Sequence, residues 1–271
     1  MKKILFTVVA ALATLTLSAQ PKVIAHRGFH ATEGSDRNTI SSLLNAQKLG
    51  IYGSECDINL SADDSLMVVH GSRHPDRRIP APHRVHVQKD VYKDIRAISC
   101  NGGNIVPTLR EYIAQAKKYP NTKLVIEIKN HPTPEREKQI TKMVVDLVKQ
   151  SGIEKQVDYI AFSSVVCDEL VKLAPNNEIA YLNGDFTPAE CKKRGYTGID
   201  YAMKVLRAHP EWVKEAQDLG MKVNVWTANK AEDIQYFIDL GVDFITTDNP
   251  LETIELIAKS QKKAKKAKKS K

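Results

Sequence analysis

Eight short apolar runs punctuate the chain between residues 22 and 248, each the length of a β-strand. They read KVIAHRG, YGSECDINL, KLVIEIK, DYIAFS, EIAYL, GIDYA, KVNVW and DFITTD. Between them lie longer stretches whose apolar residues recur three and four apart, the spacing of an amphipathic helix. TISSLLNAQKLG closes on Gly50, and PEREKQITKMVVDLVKQSG opens near a proline and closes on Gly152. PEWVKEAQDLG and KAEDIQYFIDLG also end on glycine. Proline suits a first helical turn and glycine the position just past the last one. Strands that alternate with helices predict an α/β fold with a parallel sheet. Eight strands over about 250 residues suit a (β/α)8 TIM barrel. A doubly wound open sheet is the competing arrangement, but no Gly-rich nucleotide loop follows the first strand.

Residues 66–106 break the alternation. LMVVH reads as an extra short strand, and a loop rich in Pro, Arg and His follows it before KDVYKDIRAIS. This is a small insertion after the second barrel strand, near the face where such barrels carry their chemistry. No repeat or linker points to a second domain, so residues 20–258 are expected to form one barrel.

The two ends stand apart from this pattern. MKK, the apolar ILFTVVAALATLTL and the small residues of SAQ have the three-part form of a secretory signal peptide over residues 1–19. Export to the periplasm or the medium is therefore expected, with an uncleaved N-terminal anchor as the alternative. No later segment is apolar for long enough to span a bilayer, so stable membrane insertion is not expected. At the other end, residues 259–271 (KSQKKAKKAKKSK) carry eight lysines and no acid. Removing these eight and the two signal lysines takes the net charge from +8 to −2. The basicity belongs to the ends, and no nucleic-acid motif accompanies it. A run of this composition predicts a disordered tail, which could make weak contact with an anionic envelope surface. The four cysteines, Cys56, Cys100, Cys167 and Cys191, match no disulfide scaffold and read as buried thiols.

Chemistry gathers where the strand runs end. Glu55 and Asp57 are two apart, so a strand turns both to one face, and Glu127 and Lys129 repeat the spacing. Buried carboxylates in such a group need compensation from a cation or hydrogen bonds. Three of them converging from two strands form a cage for a hard divalent ion, Mg²⁺ or Ca²⁺ rather than Zn²⁺. A plain Glu127–Lys129 ion pair is the competing reading. His26 closes the first run and can exchange protons near neutral pH. Arg27 offers a planar fork to phosphate oxygens, and Gly28 permits a sharp turn. Asn224 and Trp226 share a strand face, with Trp226 either packing the barrel or forming a substrate-facing wall. His70 ends the extra strand.

These segments together carry a resemblance. AHRG followed by NT and a helix, then SECDINLSADDSLMVVH, VPTLREYI, LVIEIK, VNVWTAN and GVDFITTDNP resemble the glycerophosphodiester phosphodiesterase family in order, from about Val23 to Leu251. The resemblance implies a (β/α)8 barrel and metal-dependent hydrolysis of small glycerophosphodiesters to sn-glycerol 3-phosphate and an alcohol. It implies His26 and His70 as the catalytic pair, with His70 as the acid. Glu55, Asp57 and Glu127 match the metal ligands, and Arg27, Lys129 and Trp226 match residues that face the substrate. Two positions depart from the family pattern. Arg37 stands where an acid is common, although Asn38 and Thr39 remain, placed to cap the next helix. Gly71 stands where an Asp usually follows the second histidine, and His74 is a conceivable substitute. A barrel that binds phosphodiesters or envelope polymers with little turnover is the alternative function. Arg73, Arg77, Arg78 and Arg84 would suit an anionic headgroup, or merely a solvated loop. His83 and His86 read as solvated, and His30 as a rim residue.

Overall fold

The computed structural model describes residues 20–71 and 86–269. The signal-like segment, His74, His83 and the arginines at 73, 77, 78 and 84 lie outside the described residues.

Eight parallel strands close into a barrel. They are β1 (Lys22–Ala25), β2 (Gly53–Leu60), β4 (Lys123–Ile128), β5 (Val157–Ala161), β6 (Ile179–Tyr181), β7 (Gly198–Ala202), β8 (Lys222–Trp226) and β9 (Phe244–Thr247). Closure comes from β1, which pairs with β9 on one side and β2 on the other. The remaining strand, β3 (Leu66–Val68), runs antiparallel to the end of β2, with Ile58 opposite Val68. Because β1 ends at Ala25, the last residues of β2 have a free edge on that side, and β3 occupies it.

Helices cover the outside, and their ends follow from local sequence. Thr39 caps the helix Ile40–Lys48 and Thr108 caps Leu109–Ala116, each with a reciprocal bond from the third residue in. Thr133 caps Pro134–Gln150, with Pro134 in the first turn, where its missing N–H costs nothing.

Every residue of β2 is buried, because helices cover the outer face of the barrel wall and the packed interior covers the inner one. Cys56 and Ile58 belong to the outer core between barrel and helices, which also holds Tyr112, Val144 and Phe237. Ile24, Val125, Ile160 and Leu182 fill the inside, joined by Phe162, Trp226 and Phe244. The insertion has its own small core of Met67, Val69, Val87, Ile95, Ile98, Cys100 and Val106. Burying a side chain of this kind contributes about 1.5–3 kcal/mol, so this core holds the chain around His70 on the barrel. All four cysteines are buried free thiols.

The tail corrects the sequence expectation. The last helix runs from Pro250 to Lys269 and so includes most of the lysine-rich stretch expected to be disordered. Lys and Ala are strong helix formers, and a stretch that extends an anchored helix needs no new nucleus. Among the described residues no helix is long and apolar enough to cross a membrane.

Candidate active site

The parallel register of β2 and β4 sets Asp57 directly beside Glu127. Glu55, one inward position earlier, completes a buried group whose candidate ligand atoms lie within 4.8 Å of one another. Two cations face it. Lys129 Nζ donates to Glu127 Oε1 at 2.5 Å and to Asp57 Oδ1 at 3.2 Å. Arg27 Nε lies 3.2 Å from Asp57 Oδ2, and the Arg27 backbone N–H donates to Glu55 Oε2 at 2.8 Å.

The carboxyl groups differ in their proton affinity. Burial pushes Glu55 well above the usual range, and its neighbours Asp57 and Glu127 push it further. Burial raises Glu127 to about 7 against the pull of Lys129. Burial works the same way on Asp57, but Lys129 and Arg27 outweigh it and hold that group well below the usual range. The set is therefore short of positive charge. Glu55 Oε1 is buried with no hydrogen-bond partner. An all-oxygen donor set with an unpartnered carboxylate oxygen fits a hard divalent cation.

The loop after β1 is held by backbone geometry that few residues adopt. Arg27 and Asn38 have φ values of 57° and 56°, in the left-handed region. Asn38 N–H donates to Arg27 O at 2.9 Å, and Ser42 Oγ donates to the same oxygen at 3.1 Å. Asn38 Nδ2 then donates to Asp57 Oδ2 at 2.7 Å, while Asp57 N–H returns a bond to Asn38 Oδ1 at 3.2 Å. Strained backbone of this kind persists only where surrounding contacts over-determine it, and it is concentrated at functional sites. Thr39 caps the helix as expected, but Asn38 instead holds Asp57. In the same loop Asp36, one position before Arg37, accepts from Arg37 N–H at 2.8 Å and from Asn101 N–H at 3.2 Å.

His26 stands at the mouth of the barrel. Its Nδ1 lies 2.8 Å from Asp248 Oδ1, just past the end of β9. His30 Nε2 lies 3.0 Å from the same oxygen, and Asn229 Nδ2 donates to Asp248 Oδ2 at 2.8 Å. Burial would raise the pKa of Asp248, but the bonds from His26 and His30 more than offset it, and the group stays well below the usual range. An ionised carboxylate only accepts, so His26 carries its proton on Nδ1 and keeps a lone pair on Nε2. Burial lowers the pKa of His26, against the pull of Asp248, so the ring is neutral at pH 7.

His70 reaches the site from the insertion. Val69 N–H bonds to Asp57 O at 2.9 Å, and Asn59 Nδ2 donates to Val69 O at 2.7 Å. A cavity of about 210 Å³ brings the predicted residues together: His26, Arg27, Glu55, His70, Glu127, Lys129 and Trp226 all line it. Its other wall is apolar, with Ile160, Phe162 and Leu182. Trp226 meets Phe162 edge-on at 5.6 Å, and its Nε1 donates to Asp200 O at 2.9 Å. It is thus both a packing residue and part of the cavity wall. Of the other histidines, His86 is exposed. His131 is buried between Leu60 N and Lys129 O, which orders the backbone beside Lys129.

Sequence reasoning missed Asp248, Asn229 and Asp200, and gave Asn38 a capping part rather than its bond to Asp57. Asp248 carried a usable signal, because a polar residue just past the last barrel strand is where such folds place chemistry. Asn38 gave none, since its part depends on a left-handed backbone.

Comparison with known proteins gives the same reading. The pattern of the Glycerophosphoryl diester phosphodiesterase family matches residues 26–252. A glycerophosphodiester phosphodiesterase of Caldanaerobacter subterraneus is 27% identical over 88% of this chain and 98% of its own length. The crystal structure of a glycerophosphodiester phosphodiesterase from Parabacteroides distasonis is 42% identical, with a TM-score of 0.84 over 89% of this chain and 98% of that one. A phosphodiesterase of Oleispira antarctica, solved with its product sn-glycerol 3-phosphate, shares the fold at 21% identity and a TM-score of 0.77, over 88% of this chain and 97% of that one. The chain belongs to the glycerophosphoryl diester phosphodiesterase family.

Proposed function

We propose that this protein hydrolyses glycerophosphodiesters to sn-glycerol 3-phosphate and an alcohol, with one divalent cation, Mg²⁺ or Ca²⁺, held by Glu55, Asp57 and Glu127. Family membership makes the chain a phosphoric diester hydrolase. The observation that carries the finer reading is one cavity lined by Glu55, Glu127, two cationic side chains and two histidines, with Asp57 buried in the same carboxylate group behind it.

A cation bound there would polarise a phosphoryl oxygen and favour ionisation of the attacking hydroxyl. Arg27 and Lys129 offset charge that develops on the phosphoryl oxygens. His26 takes the proton of the attacking hydroxyl at Nε2, with Asp248 holding its ring and tautomer. His70 gives a proton to the leaving alkoxide, a direction that follows the family resemblance. Ile160, Phe162, Leu182 and Trp226 keep one side of the cavity dry, which strengthens each of these charge interactions.

The loss of an acid at Gly71 favours the second reading, a barrel that binds phosphodiesters or envelope polymers but turns them over poorly. Glycerol 3-phosphate release from diesters of different headgroups, in wild type and in His26→Ala and His70→Ala, separates the two. Hydrolysis means release that either substitution abolishes. Binding alone means saturable uptake with no release from any headgroup. We further propose export, from the signal-like segment, and weak contact of the lysine-rich helix with an anionic envelope surface.

A further inference from the structure

Asp200 is a buried acid that the mechanism above does not use. It lies on β7 and points inward, in register with Asn224 of β8. It is 2% exposed, and its interior neighbours include the apolar group of Ile160, Leu182 and Phe162. Its Oδ1 is buried with no hydrogen-bond partner, and so is Oδ1 of Asn224. The amide of Asn224 is oriented by its Nδ2, which donates to Thr246 Oγ1 at 2.8 Å. That bond leaves Asn224 an acceptor toward the barrel interior. Asn224 is the polar side chain beside Asp200 and pulls its proton affinity down, yet among the described residues neither Asp200 Oδ1 nor Asn224 Oδ1 has a close hydrogen-bond donor, which is costly in an apolar core.

Asp200 also lines the cavity that holds His26, Glu55, Glu127 and Lys129. The phosphate-facing cations, Arg27 and Lys129, follow β1 and β4, and Asp200 comes from β7 across the barrel. A glycerophosphodiester has hydroxyl donors on the glycerol carbons beyond its phosphate. With the phosphate at the Arg27–Lys129 side, the glycerol hydroxyls would have the rest of the cavity, whose wall includes Asp200, Trp226 and Leu182. The Trp226 indole is pinned to Asp200 O, so the acid and the aromatic wall are set as one unit.

We propose that Asp200 is a specificity-determining residue whose carboxylate accepts a hydrogen bond from a glycerol hydroxyl of the substrate. The inference rests on the glycerophosphodiester reading and deepens it. It explains why a polar acceptor is kept in an otherwise apolar wall. A site built to bond a hydroxyl rejects analogues that lack it, because the buried acceptor is then left bare. Burial raises Asp200 to about 7, with Asn224 opposing the rise and Glu127 adding to it, and a hydroxyl donor in the cavity would favour its ionised form.

The test is calorimetric binding of sn-glycerol 3-phosphate and of inorganic phosphate, in the presence of Mg²⁺, to wild type and to the near-isosteric Asp200→Asn. Wild type should bind glycerol 3-phosphate more tightly than phosphate. In Asp200→Asn the affinity for glycerol 3-phosphate should fall roughly ten- to hundredfold, with phosphate affinity changed less than about twofold. The melting midpoint should not fall, because the substitution replaces a buried acid with a neutral group of the same size. Equal losses for both ligands would make Asp200 a structural residue and overturn the proposal. So would unchanged binding of glycerol 3-phosphate, the result expected if buried water serves the acceptor instead, or a wild type that does not distinguish the two ligands. Because binding is read without turnover, failure of hydrolysis would count against the proposed function and leave this comparison intact.

Discussion

Asp248 and His26 are 222 residues apart in sequence and 2.8 Å apart in space, with Asp248 Oδ1 accepting the Nδ1 proton of His26. The pairing exists because β9 lies beside β1 when the barrel closes, with Ala25 opposite Thr247. Barrel closure therefore does two things at once. It completes the fold, and it leaves His26 Nε2 as the basic atom facing the cavity.

The pH dependence follows from this pair. His26 must be neutral to accept a proton. Burial lowers its pKa below 6.5, so the neutral form persists into mild acid. The acid limb of kcat/KM should lie below pH 6.5. In Asp248→Asn the negative charge that raises the His26 pKa is lost, so the limb moves further to acid while the plateau falls ~10²–10⁴-fold. A pH–rate series on both proteins checks this, and a limb that moves to higher pH in the variant contradicts it.

Asn38 should act through Asp57. Removing a group that orients a metal ligand typically weakens metal affinity about 10–100-fold. Asn38→Gly deletes the amide yet accepts the φ of 56°. Titration of Mg²⁺ or Ca²⁺ into this variant should show that loss with the fold intact. Unaltered affinity would mean that the 2.7 Å bond to Asp57 is only structural.

The first motif can be broken by one methyl group. Gly28 has a φ of +76°, and a Cβ built there meets Ser42 Oγ at 2.4 Å and Ser42 C at 2.6 Å. Ser42 sits in the helix that the loop caps, so it cannot simply swing away. Gly28→Ala should cost about 1–3 kcal/mol or more and lower the melting midpoint by several degrees. Activity should fall with it, because Arg27 and His26 share that turn. A thermal melt of the variant indistinguishable from wild type would count against this account of the loop.

Much of this was legible in the chain. The eight strand runs all form strands, because buried parallel strands need short apolar segments whatever their neighbours. Glu55, Asp57, Glu127 and Lys129 converge as the two-residue spacing predicts, since that spacing fixes the face. What escaped depends on three-dimensional closure or on unusual backbone. Asp248 gains its meaning only beside His26, and Asn38 only through its left-handed turn. Asp200 looked like any strand residue, because nothing in GIDYA says that its acid faces an apolar interior without a partner. The lysine tail was misread for a different reason. Charge composition argued for disorder, while helix propensity carried on from an anchored helix.

His70 is the residue whose local sequence departs most from the family pattern, through Gly71. If it donates the proton to the leaving group, His70→Ala should lower kcat about 10²–10⁴-fold for a poor alkoxide leaving group. The loss should be far smaller for a nitrophenolate, which needs no proton to leave. Equal losses for both leaving groups would assign His70 another part.

The central claim is that the three buried carboxylates hold the ion on which hydrolysis depends. The most direct measurement is glycerol 3-phosphate release by the purified protein after chelation, followed by stepwise addition of Mg²⁺ or Ca²⁺. The account predicts that release falls at least about a hundredfold in chelator and returns with one of the two ions, and that Asp57→Asn shifts the ion concentration required upward. Undiminished release in excess chelator would contradict it.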